Sequence, residues 1–327
     1  MRVLITGGAG YIGSFVVREL KQRDHEILVF DNLSTGRGQA VPDVPLVVAD
    51  IRDRAEVDRA VGRFRPDAVM HFAALKSPAE SMREPGLYYD VNVVGTANLL
   101  SAATAHGVRR FVFSSSCAVY GTPQVCPVDE RAPLRPESPY GETKVACERM
   151  LGWIAGSHGM AHASLRYFNV AGAAEDGSLG EHLHEGTSQL VPRVVMSALG
   201  IGPEFAIAGG DYPTPDGTAL RDYIHVEDLA EAHVRTLEML GSTRLNGVYN
   251  LGRGSAVSVL EVVNEVERVS GKPLAKPIGT RRPGDPAVSW ADAALAGRVL
   301  GWTPKRDLTD MVRSAWLWHT SDASAPA

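Results

Sequence analysis

Thr6-Gly7-Gly8-Ala9-Gly10-Tyr11-Ile12-Gly13 follows the apolar run Val3-Leu4-Ile5 and opens a helical pattern near 12–24. Gly7, Gly10 and Gly13 have the spacing GxxGxxG. Glycines at such a turn permit a tight bend, let the backbone approach a pyrophosphate, and let the helix pack close to the sheet. The helix start then offers N–H groups and the positive end of its dipole to the phosphates. A glycine pattern alone is weak evidence; its place between a strand and a helix makes it specific. Gly7, Gly10, Tyr11, Ile12 and Gly13 are therefore candidate contacts to a dinucleotide.

The same alternation continues outward from this turn. Ile27-Leu28-Val29-Phe30, Leu46-Val47-Val48, Ala68-Val69-Met70-His71-Phe72 and Phe111-Val112-Phe113 read as buried strands. Helical patterns lie between and after them near 53–64, 85–106 and 140–158. Strands that are apolar without interruption need cover on both faces, so the expected fold class is α/β, a doubly wound parallel sheet. After about residue 170 Gly, Pro and Asp become frequent, and helices near 188–200, 226–240, 258–270 and 307–319 are separated by loops. The expected division is a first domain over 1–170 and a smaller α/β lobe over 171–320, with segments interleaved. The small, polar tail 321–327 is expected to be disordered.

Bulk properties limit the partners. A chain of 327 residues can bury a large core in one or two domains. A formal net charge of -5 matches poorly to nucleic acid or an anionic membrane, so an anionic small ligand would need a local basic site. No apolar run is long enough to span a bilayer, and the first residues lack the order of a signal peptide. The three cysteines, Cys117, Cys126 and Cys147, form no CxxC pair and suit a reducing cytoplasm.

Asp31 ends the second strand pattern. A carboxylate there accepts the adenosine ribose hydroxyls and repels a 2′-phosphate, which favours NAD over NADP. Asp50-Ile51, at the end of the third strand, is placed to meet the adenine. Tyr140-Gly141-Glu142-Thr143-Lys144 is a YxxxK motif at a helix start, and residues four apart share a helix face. A tyrosine acting as base near pH 7 needs about 4 kcal/mol of differential stabilisation of its phenolate. An ammonium one turn away has the right sign to supply it. By itself YxxxK is common on surface helices. Here it accompanies Ser114-Ser115-Ser116 at the end of the fifth strand, the edge where α/β sheets bind ligands.

Together these residues resemble the extended short-chain dehydrogenase/reductase family, and most closely its UDP-hexose 4-epimerase branch. The matching stretches are TGGAGYIGS (6–14), DNLSTG (31–36), HFAALK (71–76), FSSSCAVYG (113–121) and SPYGETK (138–144). The match continues in LRYFNVAGA (165–173), DYPTPDGTALRDYIHVEDLAEAH (211–233), YNLGRG (249–254) and RRPGDPAVSWAD (281–292). The resemblance implies a Rossmann-type sheet with a substrate-binding lobe, NAD as cofactor, and interconversion of UDP-glucose and UDP-galactose. By the same resemblance Ser116, Tyr140 and Lys144 take the catalytic places. Asn32, Ser34 and Thr35 join Asp31 at the cofactor, which Phe72, Ala73, Ala74, Lys76, Asn92, Ser114 and Phe168 also line. Lys76, Asn169, Gln189, Leu190, Ala206, Ala208, Arg221, Arg282, Asp285 and Ser289 contact the nucleotide-sugar, with Ser116 and Tyr140. Arg221 and Arg282 would be the local basic site for the diphosphate. A homodimer is implied, paired through the helices at 85–106 and 140–158.

Some positions depart from the family pattern. Gln189 stands where relatives often carry Asn or His, and Ala208 where an aromatic residue lies near the uracil, which leaves a dTDP-sugar open. Ser289 stands where a bulky Tyr would restrict the pocket to plain hexoses, so N-acetylated hexoses also fit the reading. A 4,6-dehydratase would carry an Asp-Glu pair where Cys117-Ala118 stand. A silent dinucleotide-sensing module would be expected to have lost Tyr140 or Lys144. Glu181-His182-Leu183-His184-Glu185 has metal-ligand residue types but sits in a loop without a third partner, so no metal is expected. Cys117 is expected to be a small buried residue, and His225 to cap the following helix.

Overall fold

The structure is a computed structural model, and it describes residues 1–183, 187–201, 204–240, 246–282 and 284–321. The first stretch of chain forms β1 (Arg2–Thr6), α1 (Tyr11–Gln22), β2 (Glu26–Asp31), β3 (Leu46–Val48), α2 (Arg54–Phe64) and β4 (Ala68–His71). It continues through α3 (Pro78–Arg83), α4 (Pro85–Tyr88), α5 (Gly95–Ala105), β5 (Arg110–Ser114), α6 (Pro139–His158) and β6 (Ala161–Tyr167). Next come β7 (Asn169–Ala171), α7 (Leu190–Leu199), β8 (Ile207–Ala208), β9 (Leu220–Arg221), β10 (Tyr223–His225), α8 (Val226–Met239) and β11 (Gly247–Leu251). The chain ends with β12 (Val257–Ser258), α9 (Val259–Ser270), β13 (Ile278–Gly279), β14 (Val288–Ser289), α10 (Ala294–Leu300) and α11 (Leu308–Thr320).

Seven strands make one sheet in the order β11-β6-β5-β4-β1-β2-β3. The pairs β1–β2, β1–β4, β2–β3, β4–β5 and β5–β6 are all parallel. The order reverses at β1, so the crevice at the carboxyl ends of β1 and β4 is the topological switch point. Leu4, Val69, Phe111 and Phe113 of the sheet pack with Val57 and Val61 of α2, Leu99 and Leu100 of α5, and Leu151 and Ala155 of α6. Full burial of one such side chain contributes roughly 1.5–3 kcal/mol, which is why these strands carry unbroken apolar runs.

The chain divides into two compact units. One comprises Met1–Gly121, Pro133–Arg166 and Ala230–Tyr249; the other comprises Thr122–Ala132, Tyr167–Leu229 and Asn250–Ala327. In the second unit α7, α9 and α11 enclose a core of Val191, Val194, Val195, Val262, Val263, Val266, Met311 and Val312. Three small sheets lie beside it: β10-β7, β12-β9-β14 and β13-β8. Of the expected disordered tail, residues 322–327 lie outside the described residues.

Two features differ from the sequence expectation. β6 and β11 were not among the expected strands. His162, Ser164 and Arg166 alternate with apolar residues in β6, and Ser164 and Arg166 are nevertheless buried, so no continuous apolar run marks the strand. The single helix expected over 85–106 is broken into α4, a π-helical stretch at Tyr89–Val94, and α5. An i→i+5 turn re-aims one side chain, and here Asn92 is turned into the interior, 2% exposed. No described helix is long and apolar enough to cross a membrane.

Candidate active site

The glycine turn is shaped by three different demands. A Cβ on Gly7 would stand 2.5 Å from the Ala73 nitrogen, so this glycine lets the end of β4 close onto the end of β1. A Cβ on Gly13 would stand 2.2 Å from the Gly7 oxygen, so Gly13 lets α1 pack against its own entry loop. A Cβ on Gly10 would meet only the Gly7 oxygen, at 3.4 Å. Among the described residues nothing else comes within 4 Å of that position, and its bareness fits the close approach of a ligand. Gly10 is also the N-cap of α1, and no side chain caps this helix. By contrast Asp53, Ser138, Ser258 and Asp307 cap α2, α6, α9 and α11. The uncapped end, with no carboxylate in its first turn, suits a pyrophosphate.

Asp31 leaves β2 with its carboxylate buried at 7% exposure. Its oxygens accept the Ala9 N–H at 3.0 Å and the Leu33 N–H at 2.9 Å. A carboxylate has about four lone-pair sites, so capacity for ribose hydroxyls remains. Asp50 is more heavily engaged. It accepts from the Arg52 backbone and Nε at 2.9 Å each, from the second Arg52 nitrogen at 2.9 Å, and from Asn32 Nδ2 at 3.1 Å. The Arg52 hydrogen bond holds the Asp50 carboxyl well below the usual range. Ser34 and Thr35 are exposed in the loop beyond, with the Ser34 N–H donating to Asn32 Oδ1. Ile51 is buried against Gly95.

At the next strand ends, Phe72, Ala73 and Ala74 follow β4, and Lys76 is exposed after them. Asn92 reaches this loop from the π-helical stretch. Its Oδ1 accepts the Leu75 N–H at 2.9 Å, while its Nδ2 donates to the Leu75 carbonyl at 3.1 Å and to Thr143 Oγ1 at 3.0 Å. Thr143 lies inside YxxxK, where it reads as filler; the sequence carries no signal for this tie. Below it His71 is fully buried between Thr6 Oγ1 at 2.6 Å and Thr96 Oγ1 at 2.8 Å. Burial, aided by the Lys144 charge, pushes the His71 imidazole down to about 3, so it is neutral.

The YxxxK residues meet the serine loop at the end of β5. Ser138 caps α6 by accepting the Gly141 N–H at 3.2 Å. A Cβ on Gly141 would stand 2.6 Å from the Ala118 carbonyl, so the first turn of α6 presses directly on the turn that Ser116 begins. Tyr140 is 8% exposed and Ser116 is 8% exposed. Lys144 Nζ donates to the Ser114 carbonyl at 2.8 Å and stands 5.9 Å from the centre of the Tyr140 ring. Burial pulls the Lys144 ammonium down to about 8, while Cys147 and Glu148 on the same helix act in the opposite direction. A phenol, an ammonium and a serine hydroxyl thus share the edge of the sheet at the end of β5, a constellation suited to proton transfer.

In the second unit three short pairings collect the remaining candidates. Ser289 of β14 stands in register with Arg221 of β9. Asp285 forms an ion pair with Arg221, and its N–H closes a turn onto the Arg282 carbonyl at 3.2 Å. Asn169 of β7 is exposed and in register with Tyr223 of β10, two residues beyond Arg221. Ala208 of β8 pairs with Gly279 of β13, just before Arg282, and Ala206 is exposed beside it. Gln189 and Leu190 start α7, and none of these pairings includes them. Phe168 is buried, its N–H donating to the Leu251 carbonyl at 3.2 Å. The sequence did not point to Tyr212, whose buried ring lies under the Arg281 guanidinium at 4.2 Å.

The model of the NAD dependent epimerase/dehydratase family matches residues 3–252. The chain belongs to that family. Among similar proteins, the UDP-glucose 4-epimerase of Lactobacillus helveticus is 44% identical over 323 residues, covering 98% of each chain. The structure of UDP-glucose-4-epimerase from Stenotrophomonas maltophila, with bound NAD and formylated UDP-arabinopyranose, matches with a TM-score of 0.93 and 44% identity over 97% of each chain. The UDP-Glc/GlcNAc 4-epimerase of Campylobacter jejuni matches with a TM-score of 0.85 and 39% identity, covering 97% of this chain and 98% of that one.

As a member of the epimerase/dehydratase family, the chain keeps no acid–base pair where Cys117 and Ala118 stand. Cys117 is half-buried, which corrects the expectation of a buried residue. His225 does cap α8: its Nδ1 accepts the Glu227 N–H at 3.1 Å. Among the described residues no group of three or more His, Cys, Asp or Glu could hold a metal. Of the stretch 181–185, His184 and Glu185 lie outside the described residues.

Proposed function

We infer that this chain is an NAD-dependent UDP-glucose 4-epimerase, an isomerase that interconverts UDP-glucose and UDP-galactose. The observation that carries the reading is Lys144, anchored on the Ser114 carbonyl at 2.8 Å and standing 5.9 Å from the Tyr140 ring. NAD, when bound, would supply an acceptor and donor for the C4 hydride, so that no net oxidation would occur. Gly7, Gly10, Tyr11, Ile12 and Gly13 would hold its pyrophosphate, Asp31 its adenosine ribose, and Lys144 its nicotinamide ribose. Tyr140 takes the O4 proton of the sugar and later gives it back. Ser116 donates a hydrogen bond to the same oxygen. Between the two transfers the 4-keto sugar turns about its phosphate bonds, presenting its other face. Arg221 and Arg282 hold the diphosphate through that turn, with Asn169 and Asp285 beside them. The first unit is read as the NAD domain and the second as the nucleotide-sugar lobe.

A second reading concerns the size of the sugar. Ser289 is buried, and its register partner is Arg221. A serine there lacks a whole phenol ring relative to tyrosine, which is more than an acetamido group adds over a hydroxyl. Room is not affinity, since an amide without a partner loses its hydration; tolerance of UDP-N-acetylhexosamines is expected, and not preference. The test assays wild type and Ser289→Tyr on a panel of UDP- and dTDP-sugars, with C4 epimers read by NMR. Wild type should convert plain and N-acetylated UDP-hexoses, and the tyrosine variant only the plain ones. A wild type that ignores UDP-glucose and UDP-galactose would refute the main reading; equal conversion of N-acetylated sugars by the variant would refute the gate.

The active form is read as a cytoplasmic homodimer. Leu87, Tyr89, Val94 and Trp153 are 39%, 44%, 47% and 80% exposed on the same two helical segments. Large apolar side chains left exposed on the two segments proposed to pair support this reading. Light scattering at micromolar concentration should give twice the chain mass, and a monomer mass would refute the pairing.

A further inference from the structure

Behind the Tyr140–Lys144 pair lies a buried polar group that the mechanism above does not use. Glu148 follows Lys144 by one turn of α6 and shares its face. Its carboxylate pairs with Arg166 of β6, Nε to Oε1 at 2.9 Å and the terminal nitrogen to Oε2 at 2.5 Å. The Glu148 and Arg166 side chains are 7% and 4% exposed. The same Oε1 accepts the Ser115 hydroxyl at 2.5 Å, and Arg166 donates to the Tyr120 hydroxyl at 3.0 Å. Ser115 lies between Ser114, whose carbonyl receives Lys144, and Ser116, whose hydroxyl faces the reaction in the proposed mechanism. Tyr120 closes the turn that Ser116 opens. The Glu148–Arg166 pair therefore joins α6, β6 and both sides of the serine loop.

We propose that Glu148 is a positioning residue for the Tyr140–Lys144 pair: locked by Arg166, it ties the Ser115 segment to α6 and keeps a negative charge one turn behind the Lys144 ammonium. Two consequences follow from the geometry. The tether sets how the Ser116 hydroxyl and the Tyr140 hydroxyl face one oxygen, since both elements hang from the same carboxylate. The charge opposes the burial that pulls the Lys144 ammonium down. The other groups facing Lys144 do not replace it. His71 is neutral, burial pushes the Cys147 thiol up, and Tyr140 is the group that Lys144 serves. A buried ion pair needs a partner on each side, and Arg166 lets the carboxylate persist there.

The inference rests on the reading of Tyr140 and Lys144 as the proton-transfer pair, and the experiment separates the two. The alkaline limb of the kcat profile is measured for wild type, Glu148→Gln and Ser115→Ala, each checked by melting temperature and retained NAD, with Tyr140→Phe as control. Glu148→Gln should move the limb down by about one pH unit, because the anion favouring the ammonium is gone and Arg166 is left uncompensated. Its turnover should fall about tenfold at pH 8.5 and much less at pH 6.5. Ser115→Ala cuts only the tether, so it should lower kcat a few-fold with the limb unmoved. If Glu148→Gln does not fold, Glu148→Gln/Arg166→Met is read in its place; with no cation left uncompensated, a smaller downward shift of the limb is expected, and an unmoved limb there also counts against the proposal. An unmoved limb in the folded variant, or wild-type kcat in Ser115→Ala, overturns the proposal while leaving the Tyr140 reading intact. Activity in Tyr140→Phe would instead overturn the reading beneath it.

Discussion

Tyr140→Phe is expected to lower turnover by roughly 10²–10⁴, the range for removal of a general acid–base group, while leaving the fold and the bound NAD in place. The substitution removes one oxygen and keeps the ring. The edge contact of Tyr140 with Tyr88, at 6.4 Å between centroids, should survive, as should the Lys144 bond to Ser114. The loss should appear in kcat rather than KM, since the proton moves in the transition state and the diphosphate is held elsewhere. The measurement is turnover on UDP-galactose, with NAD released from the purified protein and quantified. Because the hydride is returned, wild type should work without added dinucleotide. Near-normal activity in the variant would sink the assignment of the base. Stoichiometric NADH production by wild type would make it a dehydrogenase instead.

Arg221→Met should raise the KM for UDP-glucose by about ten- to a hundredfold, with kcat changed far less. Hydrogen bonds to a charged group are worth about 1.5–3 kcal/mol each, and a factor of ten is about 1.4 kcal/mol. Arg221 is well built for the task. It sits in β9 between β12 and β14, donates to the Leu220 carbonyl at 2.8 Å, and is paired with Asp285. A guanidinium has five N–H donors in a fixed fork, so these two partners orient it and leave donors for a diphosphate. Methionine keeps the stem and loses the fork. If kcat collapsed with KM unchanged, Arg221 would act on the chemistry and not on binding. If neither moved, the diphosphate would lie elsewhere.

Much of this was legible in the linear chain because the signals are local. GxxGxxG works within one turn, Asp31 within one strand end, and YxxxK within one helix turn. The unbroken apolar strands announced a sheet covered on both faces, and β1 to β5 lie where those runs stand. What escaped was whatever depends on distant partners. Ser164 and Arg166 look like surface residues of a broken pattern, and it is distant partners, the Glu148 carboxylate and the Tyr120 hydroxyl, that make a buried arginine tolerable in β6. The helix expected over 85–106 has an unremarkable periodicity. Its π-helical interruption follows from where Asn92 must reach, namely Leu75 and Thr143. Gly10 and Gly13 look equivalent in the motif. The structure separates them, since a Cβ on Gly13 would strike the Gly7 oxygen at 2.2 Å and one on Gly10 would not.

The sequence by itself determined the fold class, and it placed the glycine turn, Asp31 and the Tyr140–Lys144 spacing on which the proposed site rests. Each is set by residue types within a few positions of one another, and short-range geometry is the same wherever the motif occurs. Only the tertiary structure decided that Arg221 answers to Asp285, that Ser289 stands in register with Arg221, and that Ser115, Glu148 and Arg166 meet. These are pairings between residues 64, 68, 33 and 18 positions apart. Such contacts form because burying a charge or a hydroxyl is costly until a partner arrives, and where the partner comes from is set by how the strands are ordered, which no local pattern records.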